Sequence, residues 1–323
     1  AATRTDYNSL YTLVLLSVMF YMPTIALSNS VAYNALEKAG LDTVTHFPPI
    51  RVWGTVGFIC AMWVVDLGKM GLSATQLYFS ATLGLILGLY SFTLPNCPIN
   101  RSGGGKSIVD LLGLRAFALF KQRKMAIFFI FSMLLGMSLQ ITNAFADGYI
   151  KSFGDTGIHG AKYLGTFGVE HSTILISLSQ ISETLCILLI PFFLKRFGIK
   201  RVMLIAMFAW VLRFALLGAG NPGPGVWMFI LSMIVYGVAF DFFNISGSLF
   251  VEKETSAAIR SSAQGVFMIM TNGLGALIGS YLAGWVVNHY GWPLSWYLFA
   301  GFSLVVAIVF AVIFKYKHDP NRI

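Results

Sequence analysis

Long apolar runs separated by short polar segments form the dominant pattern of this chain. An α-helix needs about 20 predominantly apolar residues to cross the hydrocarbon core of a bilayer. Runs of this length recur along the whole sequence, and we predict nine spanning helices from them. The predicted spans lie near residues 9–36, 49–66, 75–95, 124–146, 171–194, 201–219, 226–250, 262–286 and 293–315.

The composition agrees with insertion into a membrane. Hydrophobic residues make up 57% of the 323 residues and charged residues only 11%, whereas an average soluble domain carries about 25% charged residues. The mean hydropathy is +0.75. We therefore predict an all-α integral membrane protein whose surroundings are the lipid bilayer.

The basic residues are concentrated in alternate connections between the predicted spans. The net charge of +9 would also suit a nucleic-acid-binding protein, but the basic clusters lie before the fourth span, between the fifth and sixth, between the seventh and eighth, and after the ninth. Short loops rich in Lys and Arg stay in the cytoplasm. We therefore predict a multi-pass protein with a cytoplasmic C-terminus and no nucleic-acid partner. The opposite connections carry only Arg4, Lys69, Lys151 and Lys162.

The longest connection, residues 96–121, divides the predicted spans into three and six. It contains the polar stretch SGGGK and then VDLLGLRAFALF, whose pattern predicts an amphipathic helix. Secondary transporters are often assembled from three-helix repeats nested in six-helix halves. We therefore predict a partial N-terminal bundle over residues 1–95, a cytoplasmic interdomain linker over residues 96–121 and a six-helix bundle over residues 122–323. On this plan, three further spans would precede the first residue of the chain.

The residue patterns of enzymes and metal sites are not found in the sequence. The three cysteines and five histidines lack the spacing of a disulfide framework or a metal motif. The stretch NRSGGGKS has Asn where a phosphate-binding loop needs its first Gly. No nucleophile and base are paired at membrane depth. We predict no enzyme activity, no cofactor and no metal ion.

Asp241 places a carboxyl group inside the apolar run of the seventh predicted span. A charged side chain near the bilayer centre costs about 2.5–3.5 kcal/mol, and such residues usually mark ion or substrate paths. The alternative is an acid that is paired with a neighbouring helix for structure alone. Arg213 is the candidate partner on that alternative, but we expect it to snorkel toward the outer end of the sixth span.

Four predicted spans carry polar or aromatic residues at helical spacing, which places them on one face of each helix. A single pair of this kind is usually an interhelical hydrogen bond. Four together favour a solvated cavity. The residues are Arg51, Thr55 and Phe58 in the second span, Gln140 and Asn143 in the fourth, Gln180 and Glu183 in the fifth, and Tyr236 and Phe240 in the seventh, with Asp241 and Asn244 on an adjoining face.

The chemistry of these side chains suits a base joined to a sugar better than an ion or a lipid. Side-chain amides donate and accept hydrogen bonds at once, which fits a neutral ligand rich in hydroxyls and ring amides. Phe58, Tyr236 and Phe240 provide flat faces for a planar ring. Glu183 and Asp241 are carboxylates in a desolvated setting, so either is a candidate proton carrier.

Five motifs resemble the nucleoside:proton symporter family of the major facilitator superfamily, whose bacterial members import nucleosides across the inner membrane. They are PPIRVWGTVGF (48–58), LQITN (139–143), SQISE (179–183), IPFFLKRFGIK (190–200) and YGVAFDFFNISGS (236–248). Members of that family have twelve spans, so the chain is similar to spans four to twelve.

The resemblance implies a major-facilitator-type bundle in the bacterial inner membrane, which we expect to be monomeric. It implies that Asp241 couples protonation to transport, with Glu183 as the second candidate. It also implies that the nucleoside is surrounded by Arg51, Thr55, Phe58, Gln140, Asn143, Gln180, Glu183, Tyr236, Phe240 and Asp241.

Two other functions remain open from the residues. A proton-coupled symporter for sugars or other small solutes would need the amides but less of the aromatic stacking. A non-transporting membrane protein could bind nucleosides without accumulating them against a gradient.

Overall fold

The computed structural model describes residues 3, 6–41, 43–71, 73–94, 114–155, 162–256 and 259–316. The regular elements in these ranges are helices, and no strand occurs among them. The chain divides into two compact units, residues 1–104 and residues 105–323. The prediction of an all-α fold is therefore confirmed.

The first unit consists of three helices. They are α1 (Tyr7–Lys38), α2 (Thr43–Leu67) and α3 (Thr75–Ser91). Large apolar side chains on these helices are exposed, among them Phe20 and Leu85, as expected for helices whose apolar surfaces face lipid rather than a water-excluding core.

The second unit contains the larger bundle. Its first element is a short 3₁₀ helix, Leu114–Lys121, whereas the sequence predicted an amphipathic α-helix in the linker; residues 95–113 of that prediction lie outside the described residues. The further elements are α4 (Arg123–Ser152), a single-turn helix (Phe167–Glu170), α5 (Ser172–Ala219), α6 (Val226–Glu254), α7 (Arg260–Met268), a π-helical segment (Ile269–Gly275), α8 (Ala276–Tyr290) and α9 (Trp292–Ile313).

Helix α5 is divided at Gly198 into two arms, residues 172–197 and 199–219. Gly198 has φ 77° and ψ 165°, a backbone conformation that is essentially restricted to glycine. Ser182 in the first arm and Arg213 in the second arm both hydrogen-bond to the short stretch Ser232–Ile234 of α6. Along a straight helix these two residues would lie roughly 46 Å apart. The chain therefore reverses at Gly198, and both arms pack against α6.

Five helical stretches among the described residues are long and apolar enough to cross a membrane. One of them is the whole of α5, so the turn at Gly198 accounts for two of the predicted spans, 171–194 and 201–219. In the first unit, the described residues contain two shorter apolar stretches, Tyr7–Tyr21 and Val52–Leu67. Each of the predicted spans overlaps a helix of the structure. The exact domain limits remain a prediction.

The core of the second unit is rich in aromatic rings. Phe128 of α4 lies 4.7 Å from Phe250, 5.4 Å from Phe267 and 6.3 Å from Phe243, measured between ring centroids. These contacts join α4 to α6 and α7. Aromatic pairs of this kind contribute about 0.5–1.5 kcal/mol beyond their buried area, so the end of the bundle where α4 begins is a rigid support for the polar residues further along these helices.

Candidate functional site

The site is built around the middle of α6. Tyr236 and Phe240 are four residues apart and therefore share one helix face. Their rings are stacked, with centroids 5.8 Å apart and an interplanar angle of 18°. Tyr236 is 5% exposed and Asp241, on the adjoining face, is 3% exposed. The structure thus places a carboxyl group and a stacked aromatic pair side by side inside the second unit.

The first arm of α5 approaches α6 closely at this point. A Cβ atom added to Gly237 would lie 2.6 Å from the carbonyl carbon of Ser182, a separation that real side chains do not adopt. Gly237 thereby permits the contact in which the Ser182 hydroxyl donates a hydrogen bond to the Ile234 carbonyl. This packing positions Glu183, the next residue of α5, toward the same region as Asp241.

Side chains from three helix segments converge on Tyr236. The Asn143 side chain of α4 interacts with the Tyr236 hydroxyl by a hydrogen bond, and Glu183, Arg213 and Asp241 lie within electrostatic range of it. Asn143 is exposed and Glu183 is partly buried. The structure therefore brings these predicted site residues together in one unit.

The two glutamines predicted for the site lie beside this group. Gln140 precedes Asn143 by three residues on α4, and Gln180 precedes Glu183 by three residues on α5. Both glutamines are partly buried. Their spacing places each of them on the same helix face as its partner.

The predicted site residues of the first unit lie on α2. Thr55 is partly buried, Phe58 is 54% exposed, and the side chain of Arg51 lies outside the described residues. Their contribution to a site shared with the second unit remains a prediction.

Arg213 is buried rather than snorkelled, so that expectation is wrong. It is 1% exposed, and its guanidinium carbon lies 4.5 Å from the centroid of the Tyr236 ring. Its Nη1 donates a hydrogen bond of 2.6 Å to the Ser232 carbonyl, and its Nε donates one of 3.2 Å to Oγ1 of Thr142. The second arm of α5 packs against α4 and α6, and these groups solvate the guanidinium in place of water.

The second unit also contains an open pocket next to Phe240. It has about 300 Å³ of empty volume, part of it at the open mouth. Sequence reasoning missed most of its walls. The polar residue inside the eighth predicted span, Asn272, was a usable signal, whereas Trp210 has no helical spacing to a polar residue that would have singled it out. The lining residues are Leu135, Gly136, Leu139, Trp210, Ala239, Phe240, Phe243, Asn244, Thr271 and Asn272.

A bundle of membrane-spanning helices with buried polar groups, a stacked aromatic pair and an internal pocket is the architecture of a solute transporter. The comparisons with known proteins then specify the family. The family model for the nucleoside H+ symporter matches residues 1–319, and the chain belongs to this family. It is a proton-coupled nucleoside transporter of the major facilitator type and not an enzyme.

Characterised relatives agree with this assignment. The nucleoside permease NupG of Escherichia coli (strain K12) is 52% identical over 325 residues, which cover 98% of this chain and 77% of that protein. The xanthosine permease of the same organism is 50% identical over 330 residues, which cover 100% of this chain and 78% of that protein.

Solved structures agree as well. The crystal structure of an aspartate-to-alanine variant of NupG superposes with a TM-score of 0.90, at 52% identity, and the match covers 97% of this chain and 79% of that chain. A second crystal structure of NupG gives a TM-score of 0.85 and covers 98% of this chain and 79% of that chain.

Proposed function

We propose that this protein imports nucleosides together with a proton across the bacterial inner membrane, by alternating access to a site that includes the middle of α6. The relatives named for nucleosides and for xanthosine support this substrate class. The membrane potential contributes about 2.3 kcal/mol per elementary charge per 100 mV. One proton moving with each neutral nucleoside would therefore drive accumulation.

The observation that carries the proposal is the buried Asp241 beside the stacked rings of Tyr236 and Phe240. A carboxyl group in this position changes charge when it takes up a proton, and the stacked rings lie next to it. Proton uptake and substrate binding would then be coupled through one stretch of α6. Asp241 is our first candidate for the proton carrier and Glu183 our second, because Glu183 is only partly buried.

We assign the binding of the substrate to amides and aromatic rings. Gln140, Asn143 and Gln180 would hydrogen-bond to the hydroxyls and ring amides of the nucleoside, because a carboxamide both donates and accepts. Tyr236 and Phe240 would stack on its planar part. Arg51, Thr55 and Phe58 would complete the site from the first unit.

The orientation and the oligomeric state belong to the same proposal. The basic connections place the C-terminus in the cytoplasm, so the end of α6 near Glu254 would face the cytoplasm and its beginning would face the outside. We propose that the transporter works as a monomer within the lipid bilayer, because every group that the mechanism needs lies within one chain.

Uptake into proteoliposomes tests the proton assignment. In Asp241→Asn, uridine uptake driven by a pH gradient should be lost, whereas exchange of internal for external uridine should continue, because exchange needs no net proton movement. Asp155→Asn is the matched control, since Asp155 is exposed and outside the site, and it should accumulate uridine like the unaltered protein. Accumulation at the unaltered level in Asp241→Asn would exclude this residue as the proton carrier.

A further inference from the structure

The pocket continues the proposed site along α6 in the direction of the C-terminal end of this helix. Phe240 belongs to both regions, since its ring stacks on Tyr236 and also lines the pocket. Asn244 follows Phe240 by four residues, which is about 6 Å along the helix. On α4, Gly136 and Leu139 line the pocket just before Gln140. The pocket is therefore one helical turn away from the residues assigned above.

Its wall opposite α6 is made by an unusual piece of backbone. Thr271 and Asn272 lie in the π-helical segment Ile269–Gly275, which interrupts the helix between Arg260 and Tyr290. A π-helical turn is rare inside an α-helix and is frequently found at functional sites. It also changes which side chains face the neighbouring helix, because the hydrogen bonds run from i to i+5 instead of i to i+4.

Close contact with α4 holds this segment in place. A Cβ atom added to Gly136 would lie 2.1 Å from the carbonyl oxygen of Thr271, so the two backbones touch. The Thr271 hydroxyl donates a hydrogen bond of 2.9 Å to the Phe267 carbonyl, which occupies it locally. Asn272 is exposed, and its Nδ2 has a contact of 3.7 Å with the sulfur of Met268. Thioether sulfur is a weak acceptor, so a ligand could replace this contact at little cost.

The chemistry of the pocket is that of a site for a planar heterocycle. Three aromatic residues, Trp210, Phe240 and Phe243, provide flat apolar surfaces. Asn244 and Asn272 provide carboxamides, which can pair with the neighbouring donors and acceptors at the edge of a base, as asparagine does with adenine in DNA complexes. A volume of about 300 Å³ lies at the lower limit of known ligand pockets, which suits a base better than a whole nucleoside.

We infer that this pocket is the base subsite of the transporter, in which Asn244 and Asn272 bind the hydrogen-bonding edge of the base and rank one nucleoside above another. This inference rests on the proposed function. The sugar would then lie on the other side of Phe240, near Gln140, Asn143 and Gln180. Selectivity among bases and binding of the sugar would be properties of different helices.

Calorimetric binding of three ligands to the purified transporter tests the subsite. The ligands are uridine, 3-methyluridine, in which the edge of the base is blocked, and 2′-deoxyuridine, which lacks a sugar hydroxyl. The unaltered protein should prefer uridine to 3-methyluridine. Asn272→Ala should weaken uridine binding roughly 3- to 10-fold, the effect of one hydrogen bond, and remove most of this preference, while the preference for uridine over 2′-deoxyuridine stays unchanged.

The matched control is Asn143→Ala, because Asn143 is assigned to the sugar side. It should reduce the preference for uridine over 2′-deoxyuridine and leave the discrimination against 3-methyluridine intact. Asn244→Ala, on a different helix, should behave like Asn272→Ala and guards against a folding defect of one variant.

The possible results separate the two proposals. Uridine binding by the unaltered protein, with base discrimination lost in the asparagine variants, supports the subsite. Uridine binding with unchanged discrimination in both variants, or with a change in the sugar preference instead, overturns the subsite and leaves the proposed function standing. Absence of uridine binding by the unaltered protein overturns the proposed function itself.

Discussion

Two basic side chains of the second unit have opposite surroundings. Arg213 is buried against the Tyr236 ring and donates hydrogen bonds to Ser232 and Thr142. Lys124, at the start of α4, has a side chain 40% exposed and forms an ion pair of 2.6 Å with Glu254. Lys124 has a carboxylate partner at the edge of the bundle, whereas Arg213 is surrounded by a carbonyl, a hydroxyl and an aromatic ring.

The difference shows what kind of role a cation can have in this protein. An exposed ion pair contributes little, because water and salt screen the charges. A buried guanidinium has been removed from water, and its fixed contacts determine how its neighbours are oriented. Arg213 is therefore in a position to hold the Tyr236 ring in place beside Asp241, whereas Lys124 joins the ends of two helices.

Removal of Arg213 should have the largest effect. Arg213→Leu should lower the free energy of unfolding by about 2–3 kcal/mol, in the upper part of the range for single substitutions, because a buried network of hydrogen bonds is broken. Titration with a denaturing detergent measures this change. Arg213→Lys keeps the charge but not the planar fork, and it should weaken uridine binding while retaining more of the stability. Equal stability and binding in all three proteins would contradict the positioning role.

The close approach of α5 to α6 should rank second. Gly237→Ala places a methyl group against the Ser182 backbone, and overpacking of this kind costs about 1–3 kcal/mol. We expect a lower unfolding midpoint in detergent and weaker uridine binding, because Glu183 and Tyr236 move apart. Gly284→Ala serves as the control, since the nearest neighbouring atom to an added Cβ there is 3.8 Å away. Comparable losses in the two variants would show that the packing at Gly237 has no special importance.

The exposed ion pair should give the smallest effect. Lys124→Met should lower the free energy of unfolding by about 0.5 kcal/mol, part of which comes from its position 4.7 Å from the centroid of the Tyr316 ring. The effect should shrink further in high salt, because salt screens exposed charges. Detergent unfolding at low and high ionic strength measures both numbers. A loss as large as that of Arg213→Leu would remove the contrast between the two cations.

The helices and much of the candidate site could be predicted from the sequence for a simple physical reason. Apolar runs of spanning length must become helices in a bilayer, since no water is available for the backbone groups. Once the helix is known, spacing places Tyr236 with Phe240 and Gln180 with Glu183 on single faces. Asp241 was recognisable because a carboxyl group in an apolar run is costly.

Other parts depend on which helices are neighbours, and spacing within one helix contains no such information. The sequence predicted that Arg213 snorkels, because its place near a span end allows this. The structure buries it, because the second arm of α5 lies against α6 and α4. Trp210 and Asn272 belong to the pocket for the same reason, since three different segments of chain form its walls.

The sequence by itself therefore determined the class of fold, the family and the chemical types of the polar residues within the spans. These properties follow from composition, periodicity and motif, which are local in the chain. Only the tertiary structure decided that Asn143, Glu183, Arg213 and Asp241 meet around Tyr236 and that a π-helical segment faces α4 beyond Phe240. Those arrangements result from the packing of helices that are distant in sequence, where small residues such as Gly136 and Gly237 allow backbones to touch.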